Sequence, residues 1–358
     1  MKSEKSQPYF LQTSQWSQFW QESAEKNHQV YFISHKSKDI ELSAFVYKYP
    51  WHFGKSFLYV PKGPILKIIN DLEKPQILCE YKNFLSKITD FAAQNKCIFI
   101  KLDFEYIFTN LLDIKDTSNI LELHKKATKF EVLLSTKSLQ YLSTMIIGCT
   151  NLQKNDDLAE FLESNKSFWN QTNENIRRYT RKSLKQSWKI NISKTTENFE
   201  DFWHVYQYTS KRQAFATHTK SYFETMFTKD FVRIIILKDE QGVPHCCWFG
   251  IILNETLYYL YGGNDDYSFS HQGQYLAHLV ALQIAAKEEV KSYDLGGYDS
   301  QKGFGKFKEG YRGDIVNFLG PIDILLGSNT YRLINFIVDN GKKLKNLGQK
   351  DSNIFSGN

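Results

Sequence analysis

Apolar and polar positions along this chain switch repeatedly between a helical and a strand period. Residues 15–25 set Trp16, Phe19 and Trp20 at helical spacing, while residues 30–34, 42–47 and 57–60 are short runs rich in aliphatic and aromatic side chains, which predicts one helix and three strands. After a Pro61-Lys62-Gly63-Pro64 turn, a helical pattern runs over residues 74–94 and a strand over 97–104. The second half has helical patterns over residues 157–187, 199–212 and 221–227, then strands over 232–238, 246–253 and 256–261. A helix over 274–288 and strands over 292–295 and 314–318 follow. Helical spacing returns over 330–347, ahead of a polar tail, 348–358, that is expected to fray. Strands, helix and strand occur twice in this order, which predicts an α/β (α+β) chain with two similar sheet-containing units.

A length of 358 residues favours two ordinary domains, and 42% hydrophobic residues suffice for packed cores. The longest apolar runs are strand length, far short of the roughly 20 residues that cross a bilayer, and residues 1–8 are too polar for a secretory signal. A soluble protein is expected. Its five cysteines (Cys79, Cys97, Cys149, Cys246 and Cys247) are odd in number and lack metal-ligand spacing, which argues against a disulfide framework or zinc site and fits a reducing cytoplasm. The nine histidines include no helical His-x-x-x-His pair, and His245 beside Cys246-Cys247 reads as strand packing. Neither metal nor cofactor is expected.

The formal charge of +6 is a mild excess, compatible with a polyanionic partner without requiring one. Part of it is concentrated in residues 175–189. There Arg177, Arg181 and Lys185 are successive i+4 neighbours and Arg178 and Lys182 form an adjacent row, so a helix would present one broad cationic face to a phosphate-bearing ligand. An ordinary solvated helix face has the same signature, and no helix-turn-helix or zinc pattern accompanies it to indicate DNA binding.

The second chemical signal is Tyr293-Asp294-Leu295-Gly296-Gly297, followed by Phe304-Gly305-Lys306-Phe307-Lys308-Glu309-Gly310-Tyr311. A strand ending in two glycines lets backbone turn through positive φ or approach a ligand, and the next segment reads as a lysine-rich loop carrying an aromatic-lysine pair. A plain strand end and a solvated loop would look alike.

In order along the chain, residues 10–20, 59–64, Lys101-Leu102-Asp103, the basic segment 175–185, residues 257–263 and residues 293–311 together resemble the FemA/FemB/FemX family of aminoacyltransferases that build peptidoglycan cross-bridges. The resemblance implies two tandem acetyltransferase-like (GNAT-like) domains packed side by side. The first would comprise residues 1–150 completed by 319–347, and the second residues 151–318. No sustained heptads occur, so the chain resembles the armless, FemX-like members. It also implies the reaction, attack of a stem-peptide amine on the ester carbonyl of an aminoacyl-tRNA, with lipid II or UDP-MurNAc-pentapeptide as the precursor.

On this resemblance Phe307 and Lys308 fall where the family places an aromatic-lysine pair beside the reacting carbonyl, and aminolysis passes through an oxyanion that a fixed ammonium stabilises. Asp103 matches an acidic position in the precursor site, where a carboxylate can orient or deprotonate the amine. Tyr259 and Tyr261, alternating with Leu260, are expected on one strand face near the precursor. Gly296 and Gly297 open the strand end, and Arg177, Arg178, Arg181, Lys182 and Lys185 would meet tRNA phosphates. Two basic positions of the family are replaced here by Trp20 and His218; Lys62, Lys220, Lys211 and Arg212 are the candidates to supply the missing charge. A lipid-linked precursor would bring the chain to the inner membrane face. The competing readings are an acyl-CoA-dependent GNAT N-acyltransferase, with residues 271–275 as a pyrophosphate loop, and a non-catalytic binder of tRNA or cell-wall precursor.

Overall fold

A computed structural model describes residues 8–23, 29–70, 72–104, 114 and 116–340. The described parts of Ala24–Ser138 and Leu319–Asn358 form one compact unit, and those of Ser6–Ser23 and Leu139–Phe318 the other. The first helix, α1 (Ser14–Glu22), therefore belongs to the second unit.

The first unit contains β1 (Gln29–Lys36), β2 (Ile40–Pro50), β3 (Ser56–Val60), β4 (Ile65–Ile68), α2 (Lys74–Gln94), β5 (Cys97–Asp103), α3 (Thr117–Ala127) and β6 (Glu131–Leu134). The last strand among the described residues, β14 (Pro321–Leu325), returns to it between β5 and β6, giving the order β1-β2-β3-β5-β14-β6 with β4 on β2. A capping box between Glu73 and Gln76 and a proline in the first turn start α2. Its apolar stripe, Ile77, Tyr81, Phe84, Leu85 and Ile88, packs on Leu58, Val60, Ile100, Leu102, Ile322 and Ile324 of the sheet.

The second unit contains β7 (Ser143–Gly148), α4 (Leu158–Ser164), α5 (Lys166–Gln171), α6 (Glu174–Leu184), β8 (Lys189–Asn191), α7 (Thr196–Gln213), α8 (Lys220–Phe227), β9 (Val232–Lys238), β10 (Pro244–Leu253), β11 (Thr256–Asn264), α9 (Asp266–His271), α10 (Gly273–Lys287), β12 (Ser292–Gly297), α11 (Gly303–Glu309) and β13 (Asp314–Asn317). Its sheet runs β13-β7-β12-β11-β10-β9-β8. Of the fifteen residues in α10 twelve are buried, so this helix, apolar on nearly every side, is the centre of the core.

The structure differs from the sequence reading in three places that bear on function. A domain limit near residue 150 would cut off β7, which is hydrogen-bonded to β12 and β13 and so belongs wholly to the second sheet. The helix expected over 157–187 is three helices, broken at Asn165 and again at Thr172-Asn173, where the Asn173 side chain accepts from the amide of Ile176 and caps α6. The lysine-rich loop is a helix, α11.

Candidate active site

Among the described residues each sheet has a single parallel pair, with a helix crossing between its strands: β3 and β5 with α2, and β11 and β12 with α10. In the second unit this pairing is short. It joins Thr256, Leu257 and Tyr258 to Ser292, Tyr293 and Asp294 and then stops, leaving the remainder of the two strands without ladder pairing to each other. Irregularities in both strands account for this. Leu260 is an extra residue in β11 opposite β10, and β12 shifts register on β7 between Asp294 and Gly297. The Asp294 carboxylate accepts the amide of Gly296 at 2.7 Å and a bond from the Thr144 hydroxyl, holding Gly296 at φ 71. Only glycine is comfortable there, because a Cβ would also lie 2.9 Å from the carbonyl oxygen of Tyr259.

Into this opening α11 delivers Lys308. The close turn before the helix depends on Gly305, where a Cβ would overlap the Asp299 carbonyl at 1.9 Å. Lys308 is 7% exposed, its Nζ donates to the Gly297 carbonyl oxygen at 2.6 Å, and it lies 5.3 Å from the centre of the Phe304 ring. Burial pulls its ammonium down to about 8, opposed by the carboxylate of Asp294. The chain thus holds an ammonium, lowered by burial, against backbone where the β11–β12 pairing stops.

Behind Phe307 is a buried relay that the sequence reading missed. Trp248 Nε1 donates to the Tyr293 hydroxyl at 2.8 Å, and that hydroxyl is 2.7 Å from His278 Nδ1. His278 Nε2 is buried without a hydrogen-bond partner among the described residues, so the donor in the Tyr293–His278 bond is set by the tautomer of the imidazole. The imidazole packs 5.2 Å from Phe307 and 5.8 Å from Tyr311, and burial, then the charge of Lys308, lowers it to about 3, so it stays neutral. A histidine inside the apolar run of α10 was the available signal.

Beside the fork is a cavity of about 580 Å³, whose lining includes Tyr179, Arg212, Tyr259, Tyr275, Phe304 and Phe307. Aromatic faces with one guanidinium suit a flat base and an anionic backbone. The guanidinium of Arg212 packs over Phe269 at 4.6 Å and reaches Asp266 at 3.4 Å.

The other expected residues have varied surroundings. Tyr259 and Tyr261 do not share a face: the bulge at Leu260 turns Tyr259 toward Trp248 and His278, and Tyr261 toward Tyr206, Phe223 and Phe249. His218 stacks on Tyr222 at 3.9 Å, Lys220 is ion-paired with Glu200 at 2.6 Å, and Lys211 is exposed. In the basic helix Arg178, Arg181, Lys182 and the capping Lys185 are exposed, whereas Arg177 turns inward to the Thr172 carbonyl and caps the end of α5. In the first unit Asp103 ends β5, fully buried. It accepts from Lys62 Nζ at 3.0 Å and Tyr59 OH at 3.1 Å. Burial raises its carboxyl, and Lys62 opposes the rise. Lys62, equally buried, is bound to Asp103 and does not form part of a surface phosphate site. Trp20 is buried.

Five free cysteines are present, and no helix among the described residues is long and apolar enough to cross a membrane. No group of metal-ligating residues occurs among the described residues, and His245 is held between Asp265 at 2.6 Å and Asp239 at 3.2 Å.

Two sheets, each with one parallel strand pair bridged by a helix, define the tandem acetyltransferase-like class. More particularly, the FemAB family model matches residues 2–236 and 228–338, and the chain belongs to that family. Its fold is similar to the crystal structure of FemX, with a TM-score of 0.68, 16% identity, and 91% of this chain and 94% of that one covered. It is also similar to the C-terminal domain of a putative lysylphosphatidylglycerol synthetase from Agrobacterium fabrum, with a TM-score of 0.50, 8% identity, and 87% and 88% of the two chains covered. No curated relative matches it. Residues 139–318 contain no helix longer than the 18 residues of α7, so there is no coiled-coil arm in the second unit. Family membership supports aminoacyltransferase activity on peptidoglycan precursors at the level of the family.

Proposed function

We propose that this chain transfers an aminoacyl group from aminoacyl-tRNA to the stem-peptide amine of a peptidoglycan precursor, either lipid II or UDP-MurNAc-pentapeptide. The observation that carries this reading is Lys308 Nζ set at the fork of β11 and β12, beside an aromatic-lined cavity, in a FemAB-family chain. The unpaired strand edges at the fork offer backbone groups to the ester, and the cavity accommodates the terminal nucleoside on aromatic faces. The neutral acceptor amine attacks the ester carbonyl and forms a C–N bond. The carbonyl oxygen becomes an oxyanion beside the Lys308 ammonium, and collapse breaks the bond to the tRNA ribose oxygen. The proton lost by the amine ends on that ribose hydroxyl. Neither an enzyme nucleophile nor a metal is required.

His278 supports the reaction by staying neutral, since a second cation against Lys308 would oppose its ammonium. Exposed Arg178, Arg181, Lys182 and Lys185 are assigned to tRNA phosphates. The test is to incubate the chain with a pool of charged tRNAs and each precursor form, and to weigh the products by mass spectrometry. A gain of one or more aminoacyl masses is expected. No gain with either precursor, or tight acetyl-CoA binding in its place, overturns the proposal.

A further inference from the structure

Asp294 is the last residue of β12 in the parallel pairing with β11, and it is 1% exposed. A buried carboxylate is costly unless it is hydrogen-bonded, and one oxygen of this one accepts both the Gly296 amide, at 2.7 Å, and the Thr144 hydroxyl. Thr144, itself buried, also reaches the Gly296 carbonyl oxygen at 3.1 Å, so the glycine is gripped at its amide and its carbonyl together. Both donors are neutral. They fix the carboxylate without cancelling its charge.

One glycine separates that charge from Lys308. The Gly296 amide touches the carboxylate, a Cβ on Gly296 would lie 3.9 Å from Lys308 Nζ, and Nζ donates to the next carbonyl, that of Gly297. With no side chain at 296 and both groups buried, the field between them crosses a gap of low dielectric. The other titratable groups around the lysine do not compete. His278 of α10, lowered to about 3, stays neutral, and burial keeps the phenols of Tyr259 and Tyr311 protonated, as it does those of Tyr9 and Tyr141, which face Asp294. On α11 itself Lys306 is exposed and Glu309 accepts from the Tyr298 hydroxyl.

We infer that Asp294 is a positioning residue of the transfer and acts through Lys308 in two ways: its charge keeps the ammonium protonated, and its grip on Gly296 fixes the Gly297 carbonyl against which the ammonium is held. The coupling of the two charges stands on the geometry; its use rests on the aminoacyl transfer proposed above. Asp294→Asn keeps an acceptor oxygen for Gly296 and Thr144 and removes the charge, whereas Thr144→Val keeps the charge and loosens its seat. In full-length protein carrying isotope-labelled lysine, the Lys308 Cε resonance, assigned by its absence in Lys308→Arg, is titrated by NMR. Its midpoint should fall by about 1–3 pH units in Asp294→Asn and in a second uncharged variant, Asp294→Ser, the range for an opposite charge within roughly 4–6 Å, and stay near wild type in Thr144→Val. Single-turnover transfer should follow it: the basic limb moves down by the same interval in Asp294→Asn, and a displacement of about one unit lowers the rate at pH 8 about fivefold. Thr144→Val should lose rate equally at every pH. In a Lys308→Arg background Asp294→Asn should leave the basic side unmoved, because arginine stays charged. An unchanged Lys308 midpoint in both uncharged variants, or an Asp294→Asn rate lowered equally at every pH in step with a lowered melting temperature, overturns the inference. A lowered midpoint in a chain that transfers nothing strikes only the catalytic reading.

Discussion

Both units contain a parallel strand pair bridged by a helix, yet the first closes the end of that pair and the second opens it. In the first, pairing continues to Val60 and Leu102, the Gly63 amide reaches the Asp103 carbonyl at 3.1 Å, and the buried Lys62–Asp103 pair fills the space beyond. In the second, two bulges and Gly296 end the pairing at Tyr258 and Asp294, and the lysine inside points at backbone. Each site buries a lysine and an aspartate, Lys62 from the turn after β3 with Asp103 at the end of β5, and Lys308 from α11 near Asp294 of β12. What differs is whether the carboxylate holds the ammonium directly. Lys62 is neutralised by contact, whereas Lys308 is within electrostatic reach of Asp294 while its donated bond goes to the Gly297 carbonyl. A repeated architecture has thus separated a structural ion pair from a cation available to chemistry.

The sharpest way to break this contrast is to remove the lysine from each unit. Lys62→Met strands the fully buried Asp103 carboxylate and should cost about 3–5 kcal/mol in urea unfolding, with most of it restored when Asp103 becomes Leu as well. An unchanged midpoint would mean that the first pair is not structural. Lys308→Ala should instead leave unfolding near wild type and lower the transfer rate by about 10²–10³-fold, the range for loss of one oxyanion donor. Gly296→Ala forces a side chain into left-handed backbone against the Tyr259 carbonyl, so a loss of about 1–3 kcal/mol and a weaker fork are expected, measured by thermal melting and kcat.

Acid should act through the buried histidines. His278 is lowered to about 3 and His124 to about 4 by burial, so the unfolded chain binds more protons below the ordinary histidine value of about 6.5. Their stabilising contribution is therefore complete above pH 6.5 and is lost progressively as pH falls toward 4; replacing His124 by a neutral isostere should flatten that part of the stability profile. The smallest effect is expected on the surface. Arg178→Gln with Lys182→Gln should reduce the salt slope of tRNA binding by roughly 1.4, about 0.7 per phosphate contact, whereas Arg177→Gln should chiefly lower the melting temperature. A reversed outcome would exchange the assigned roles.

Much of the scaffold was legible because strands and helices in this chain follow clean periods. The pattern located α2 at its observed limits and β9 at its own, and the Gly-Gly strand end lies where the β11–β12 pairing has stopped. Short elements escaped: β7 and β14 are brief apolar runs whose partners lie more than a hundred residues away, so no local signal joins them to their sheets. Glycines disguised α11 as a loop, although Gly305 is there for close packing on Asp299 and Gly310 for packing on Ile176. Alternation put Tyr259 and Tyr261 on one face, and one extra residue was enough to reverse it. Charge counting likewise treated Lys62, Arg177 and Lys220 as surface cations, whereas their partners, Asp103, the Thr172 carbonyl and Glu200, are set by tertiary structure.

The central claim, that the Lys308 ammonium at the second unit's fork stabilises the transfer, is tested most directly by single-turnover aminoacyl transfer across pH in wild type and Lys308→Arg. With Lys308 near 8, the wild-type rate should fall on the basic side with a midpoint close to pH 8. Arginine, which stays charged, should retain part of the rate and move that limb beyond the accessible range. A wild-type rate still rising through pH 9, or the same basic limb in the arginine variant, would contradict the account.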